Sequence, residues 1–438
     1  MDLDNLDTFR IATCDLNGQM RGKRMPQKDQ RKLASGDLRM PLSVLNVDIW
    51  GADIINSPLL FASGDGDGYL LPTNRGPVPM PWLDQPSALV GMWMFEEDGR
   101  PFEGDPRHAL AQILDRYAAR GWQVVAATEL EFYLIDDSAE SLRPPKDPTS
   151  NRKIDSSAIL SLQQLDAFEP FFSELYQSCA QMGINAQAAS SEAGIGQFEI
   201  SLQHGDALRI ADDTWLFKAL LKGLARKHGY AASFMAKPYP NDAGNGLHLH
   251  FSVIDEAGEN IFDDGTKQGS PLLQNAIAGC LATMRAATLG FAPHANSYTR
   301  MDPENHAPTS ICWGYENRTA ALRIPAGAHR ARRIEHRVAG GDINPFLTLS
   351  LILGAALLGI EDDLTPPPPI TGNAYSKDLP QLIHSWPEAI DMFENDPMIA
   401  RILPAQLIEN FSLTKRQELD GLKNIPQEEH WKTYLETV

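Results

Sequence analysis

Positive charge is in short supply in this 438-residue chain: 38 Lys and Arg stand against 57 Asp and Glu, a formal net charge of −19. Such a field repels polyanions and attracts cations, which makes nucleic acid a poor partner and a cationic small molecule a fair one. Cysteine is scarcer still. Cys14, Cys179, Cys280 and Cys312 lie far apart with no C-x-x-C spacing, which argues against a disulfide or zinc framework and for free thiols in a reducing compartment. There is no long hydrophobic run either. The most apolar stretch, FLTLSLILGAALLGI (346–360), is broken by Thr348, Ser350 and Gly354 and is shorter than the ~20 residues that span a bilayer. It is expected to be a buried core helix, and no membrane partner is expected. The acidic start MDLDNLDTFR is unlike a secretory leader, which has a basic start and then an apolar run, so a cytoplasmic location is expected. No period of 20–50 residues repeats, and G-x-S-x-G, Walker and H-E-x-x-H motifs are missing.

What is present divides into two units. From Phe9 to about Phe95, short β-type runs (FRIATCDL, LVGMWMF) flank the turn-prone block SGDGDGYLLPTNRGPVP at 63–79, the pattern of a small, mostly β unit. Asp105-Pro106 then reads as an N-cap followed by proline in the first helical turn, which puts the boundary between residues 1–104 and 105–438. Beyond it, candidate strands VVAATELEFYLI, GQFEISL, LHLHFSVI, ALRIP and RRIEHRV alternate with candidate helices around 165–182, 211–229, 271–288, 345–361 and 401–420.

Parity within these strands carries the chemistry. Residues two apart share a face, so Glu129 and Glu131 point away from Leu130 and Phe132. In the same way His248, His250 and Ser252 oppose Leu249 and Phe251; Gln197, Glu199 and Ser201 oppose Phe198 and Ile200; and Arg333, Glu335 and Arg337 oppose Ile334 and His336. For any one strand a solvated face is the default. Four strands offering almost only Glu, His and Arg differ from ordinary wet faces, which carry Lys, Thr and Ser. Glu129, Glu131, Glu192, Glu199 and Glu335 gathered together would repel one another and protonate unless cations neutralised them, and oxygen ligands with an imidazole suit Mg²⁺ or Mn²⁺ better than zinc. Arg300, Arg318, Arg323, Arg333 and Arg337 supply forks for phosphate or carboxylate. Metals, arginines and carboxylates together point to phosphoryl transfer from a nucleotide, although the H-x-H pair by itself suits a metal-dependent hydrolase equally well.

The motifs MRGKRMP (20–26), ELEF (129–132), EAGIGQFEI (192–200), KPYPNDAGNGLHLHFS (237–252), NSYTR (296–300), NRTAALRIP (317–325) and RRIEHRVAGGDINPF resemble, in order and spacing over nearly the whole chain, the glutamine synthetase family. The resemblance implies an α+β fold, with a small N-terminal β-grasp domain before a large catalytic domain whose curved antiparallel sheet is flanked by helices. It also implies homo-oligomers, usually dodecamers of two stacked rings with active sites between subunits. By motif position it implies two or three Mg²⁺ or Mn²⁺ ions, one held by Glu131, Glu192 and Glu199 and another by Glu129, His248 and Glu335. ATP, the cosubstrate, would be contacted by His250, Ser252, Arg318, Arg323 and Arg333, and glutamate by Gly244, His248, Arg300 and Arg337. The family chemistry phosphorylates the glutamate γ-carboxylate, and an amine then displaces the phosphate.

The departures bear on the amine. Family members that use ammonia carry a Glu before the Ala-Pro of the loop after N-S-Y-x-R, whereas DPENHAP puts His306 there. Ser190-Ser191, Gln187 and Ala243 likewise replace family residues at ATP and glutamate contacts. WGYENRT (313–319) and RIEHRVAGGDINPF resemble the γ-glutamylpolyamine synthetase branch, in which a primary amine such as putrescine replaces ammonia. His306, Arg318 and Arg300 are the candidate catalytic residues. A pKa near neutrality would let His306 accept the amine proton, and a surface loop histidine is the equal alternative. Asp48 or Asp53 of the N-terminal unit is a candidate to reach a neighbouring subunit's amine site.

Overall fold

The computed structural model describes residues 2–62, 64–302 and 307–438, and among these the strands form two sheets. The first contains β1 (Thr8–Cys14), β2 (Met20–Pro26), β3 (Arg39–Pro41), β4 (Asp67–Pro79) and β5 (Ala88–Phe95) in the order β2-β1-β5-β4-β3. β1 and β5 run parallel at its centre, and the β1–β2 and β4–β5 pairs are antiparallel. Phe9 and Ile11 of β1 face a core private to this unit, while Ala12 and Cys14 join the core of the larger unit. Burial on both faces explains why β1 reads as a continuous apolar run.

One expectation needs correction here. Most of the turn-prone block at 63–79 is strand, not turn: β4 runs for 13 residues despite Pro72, Pro77 and Pro79. β3 pairs only with Asp67, Gly68 and Tyr69, so among the described strands none continues along the outer edge of the rest of β4, and proline there interrupts no strand ladder.

Asp105 caps the helix Pro106–Ala118 through Arg107 N at 2.8 Å, and its carboxylate also accepts Met94 N from β5 at 3.2 Å. That one side chain fixes where the helix starts and ties it to the first sheet. The second sheet runs β12 (Trp313–Tyr315), β13 (Leu322–Ile324), β14 (Ile334–His336), β11 (Leu247–Ile254), β6 (Gln123–Ile135), β8 (Gln197–Leu202), β7 (Ala186–Ser191). The short strands β9 (Gly205–Asp206) and β10 (Ala231–Ser233) pair with β6. The pairings are antiparallel except β12 with β13. Helices Ala207–Lys227, Pro271–Met284 and Pro345–Glu361 join the apolar side of this sheet in one core. The stretch 346–360 is the expected buried helix, and none of the described helices is long and apolar enough to cross a membrane.

Helix limits move where proline or a cap decides them. The expected helix at 165–182 is two, Leu162–Ala167 and Glu169–Met182, with Pro170 in the first turn of the second, a position where its missing N–H goes unmissed. The last long helix begins at Ala405, after Pro404, not at 401.

Candidate active site

The polar face of the second sheet presents three adjacent cross-strand rows. Glu131 lies opposite Glu199, and Glu199 opposite Ser190. One step along β6, Glu129 lies between Ser201 and His248. In the third row His250 faces Glu335, and Glu335 faces Arg323. Alternation sends the intervening Leu130, Phe132, Leu249 and Phe251 into the core, so the pattern that buries one face of each strand also gathers acids and imidazoles on the other. Glu192 joins them from the β7–β8 turn, where its N–H donates to Gln197 O at 2.9 Å and its Oε1 accepts from Ser190 Oγ at 3.0 Å.

Glu129 is central. Its Oε2 lies 3.1 Å from His248 Nδ1, and its Oε1 lies 3.1 Å from His250 Nε2 without the alignment of a full hydrogen bond. Burial opposes its ionisation, but the two imidazoles more than offset this and hold the carboxyl well below its usual range. Glu335 is likewise held low: burial is outweighed by Arg337, the two histidines and Arg323, whose Nη1 donates at 2.7 Å; Arg337 also donates to Glu335. On the other side the balance reverses. Burial together with Glu131 and Glu129 pushes Glu199 up to about 9, and burial with Glu131 pushes Glu192 up to about 7. The face therefore splits into a half where arginines outweigh burial and a half where the pull of Arg318 on Glu192 and of Arg337 on Glu199 does not.

Ligand atoms of Glu129, Glu199 and His248 lie within 4.8 Å of one another, as do those of Glu129, His250 and Glu335. These groupings share Glu129 and differ from the motif-based pairing. Glu131 Oε2 accepts Gly246 N at 2.6 Å and Gln197 Nε2 at 3.4 Å. Carboxylates plus imidazole at this spacing fit Mg²⁺ or Mn²⁺, and a cation here would offset the burial and mutual repulsion that raise Glu199 and Glu192. Among the described residues Arg323 Nε and Arg337 Nε are buried without a hydrogen-bond partner, which leaves both donors free for a ligand.

Beside the rows lies a cavity of about 530 Å³ whose lining includes Glu129, Gln187, His250, Ser252, Arg330 and Arg333. Arg333 Nε donates to His250 Nδ1 at 3.2 Å. Three of the five residues expected at ATP thus line one space. Arg323 sits at the Glu335 end, and Arg318 is exposed, near enough to draw down the Glu192 pKa. Arg300 is buried, and its Nη1 donates to Val338 O at 2.8 Å. It passes over Gly244, where a Cβ would come within 2.7 Å of both Arg300 Cγ and Ala236 O, so only glycine admits the arginine.

Several residues were not singled out by sequence for these roles. Arg330 and His204 line the cavity; both lie outside the quoted strands, where parity gives no signal. Gln197 and Asn245 brace the loop that carries Gly244, Gln197 Nε2 donating to Gly244 O at 3.0 Å and Asn245 Oδ1 at 3.1 Å. Asp48 is buried and accepts from Trp50 N, Ala52 N and Gln417 Nε2, so it braces its own loop, whereas Asp53 is exposed. His306 lies outside the described residues.

Residues 103–434 match the model for the glutamine synthetase catalytic domain. The chain is 35% identical to γ-glutamylputrescine synthetase of Escherichia coli K12 over 95% of this chain and 89% of that one. It is 31% identical to a glutamate–isopropylamine ligase of a Pseudomonas species over 99% and 96%. Among solved structures, a novel glutamine synthase homolog superposes with a TM-score of 0.85 at 26% identity, covering 100% of both chains. With a matching catalytic-domain model over most of the chain and these relatives along its whole length, the chain belongs to the glutamine synthetase family of ATP-dependent carboxylate–amine ligases.

Proposed function

We propose that the enzyme joins the γ-carboxylate of glutamate to an organic mono- or polyamine, such as putrescine, using ATP and passing through γ-glutamyl phosphate. The observation that carries this reading is the contiguity of the carboxylate–imidazole rows with a cavity lined by Ser252, His250 and Arg333. That juxtaposition suits a nucleotide whose phosphates meet metal ions and arginines at one end. Two or three Mg²⁺ or Mn²⁺ ions would be held by Glu129, Glu131, Glu192, Glu199, His248 and Glu335. When bound, such ions offset the charge that develops on phosphate oxygens.

This chain's own residues then have separable tasks. Arg300 and Arg337, with Gly244 and His248, hold glutamate, and forked hydrogen bonds to its carboxylates fix which end meets the phosphate. Arg318, Arg323 and Arg333 stabilise the transferring phosphoryl group. His306, where ammonia-using members carry Glu, accepts the amine proton. An organic amine is further supported by the relatives named for putrescine and isopropylamine and by the net charge of −19, which draws in cations. We read the assembly as a cytoplasmic homo-oligomer, a dodecamer of two stacked rings with intersubunit active sites, and divide each chain at Asp105.

The reading is tested by phosphate release from ATP with Mg²⁺, glutamate and a panel of ammonium, methylamine, ethanolamine, putrescine, spermidine and aromatic amines, with products identified by mass. A higher kcat/KM for one organic amine is expected. Turnover with ammonium alone would make the enzyme a glutamine synthetase, and no turnover with any amine would favour a ring-forming relative without catalysis.

A further inference from the structure

One part of the cavity wall belongs to a long connection, residues 325–333, between the short strands β13 and β14, and its internal structure is a single turn at His329–Ala331. This segment brings Arg330 and Arg333 to the cavity, and its shape is held from outside. β11 continues through a tight turn, and Asn260 bridges back to Ile254. Asn260 Oδ1 accepts Phe262 N at 3.0 Å, closing its own turn, while its Nδ2 donates outward to Arg332 O at 2.8 Å and Arg330 O at 3.2 Å. Asp263 Oδ1 meets His329 Nδ1 at 3.0 Å and Arg332 Nε at 3.4 Å. Arg332 completes the clamp, donating to Thr266 O at 2.7 Å and Lys267 O at 3.0 Å.

None of these side chains is among those lining the cavity, yet the 260–267 segment grips the wall at His329, Arg330 and Arg332, between and beside the cavity residues Arg330 and Arg333. We propose that Asn260, Asp263 and Arg332 are positioning residues for the nucleotide: they lock the 328–333 wall onto the strand that carries His250 and Ser252, so that Arg333 is preset over the cavity. This rests on reading the cavity as the ATP site. A wall free to drift would have to be ordered on binding, and that ordering subtracts from affinity.

Asn260 separates the two tasks of one side chain. Asn260→Asp keeps the oxygen that closes the turn and removes the N–H donor that grips the wall, so a merely structural role for the turn survives it. With the full-length enzyme, ADP and a non-hydrolysable ATP analogue are titrated with Mg²⁺, and KM values for ATP and glutamate are measured separately. Loss of two hydrogen bonds to the wall should weaken nucleotide binding about tenfold in Asn260→Asp and Asn260→Ala, with the glutamate KM and kcat at saturating ATP within about twofold of the parent. Arg332→Ala should match them, and its combination with Asn260→Ala should weaken binding by less than the product of the two, because both act on one wall. Unchanged nucleotide affinity in Asn260→Asp, while Arg333→Ala weakens it, overturns the clamp and leaves the cavity assignment standing. A parent enzyme that binds no ATP, or an Arg333→Ala variant that binds it like the parent, overturns both.

Discussion

Replacing Glu199 with glutamine should make the metal-free enzyme more stable and the metal-loaded enzyme less responsive. Glu199 is pushed up to about 9 from an ordinary 4.5 by burial and by Glu131, Glu129 and Glu192. Between those two values the folded protein keeps a proton that the unfolded chain has released. Folded stability therefore declines as pH rises through this window, is unaffected below about 4.5, and has lost the full amount above about 9. At pH 7.5, three units above the ordinary value, the penalty is about 4 kcal/mol. Glutamine has nearly the same shape and no proton to lose, so Glu199→Gln should recover that amount in EDTA, with a gap from the parent that opens as pH rises.

Saturating Mn²⁺ narrows the gap. An ion at 100 times its dissociation constant stabilises the folded state by about 2.7 kcal/mol. A ligand loss that weakens binding 100-fold leaves the variant only about 0.4 kcal/mol at the same concentration. Thermal midpoints of both proteins, with EDTA and with MnCl2 across pH 5–9, give the four numbers required. The reasoning is refuted if Glu199→Gln melts lower than the parent in EDTA at pH 7.5, or if Mn²⁺ raises both midpoints equally.

Gly244→Ala should raise the glutamate KM at least about tenfold and leave the ATP KM near the parent value, because the added methyl meets Arg300 Cγ and Ala236 O at 2.7 Å and overpacking displaces the arginine; equal KM values for glutamate would sink this. His306→Ala should lower kcat/KM for the organic amine by about 10²-fold without moving the KM for ATP, and an unchanged kcat/KM would reduce His306 to a loop residue. Lys415 and Glu418 are fully buried, 2.9 Å apart, with Asn17 of the N-terminal unit bonded to both. Lys415→Met strands the carboxylate and should cost about 3–5 kcal/mol in denaturant unfolding, most of it regained in Lys415→Met/Glu418→Met; single and double variants of equal stability would refute the pairing.

How much of this was legible depended on the kind of information involved. The Asp105-Pro106 cap, the buried helix at 345–361 and the strand LHLHFSVI are local signals, and the structure contains them where the sequence puts them. β4 was misread because a proline's meaning depends on whether its strand has a neighbour, and the shortness of β3 is a tertiary fact. Beside the site, Trp313 Nε1 donates to Pro367 O at 2.7 Å and its ring packs edge-on against Tyr315. Aromatics beside a strand are packing until geometry says otherwise.

The site divides along the same line. Parity within a strand named Glu129, Glu131, Glu199, Glu335 and the two histidines, because a two-residue period is written in one segment, whereas Glu192, Arg300 and Arg318 lie outside the strands. Which of them meet is set by register between strands, and β6, β11 and β14 come from positions 123–135, 247–254 and 334–336. Register alone makes Glu129 the common neighbour of His248 and His250, and makes His250 a partner of Glu335 as well as part of the cavity wall. A side chain in that position couples the carboxylate rows to the cavity proposed for the nucleotide: a change in charge at Glu129 is felt by His250, and through its 3.2 Å contact by Arg333. Metal and nucleotide are therefore expected to bind with positive coupling, each completing charge balance for the other, and that coupling belongs to the register of three distant segments rather than to any one motif.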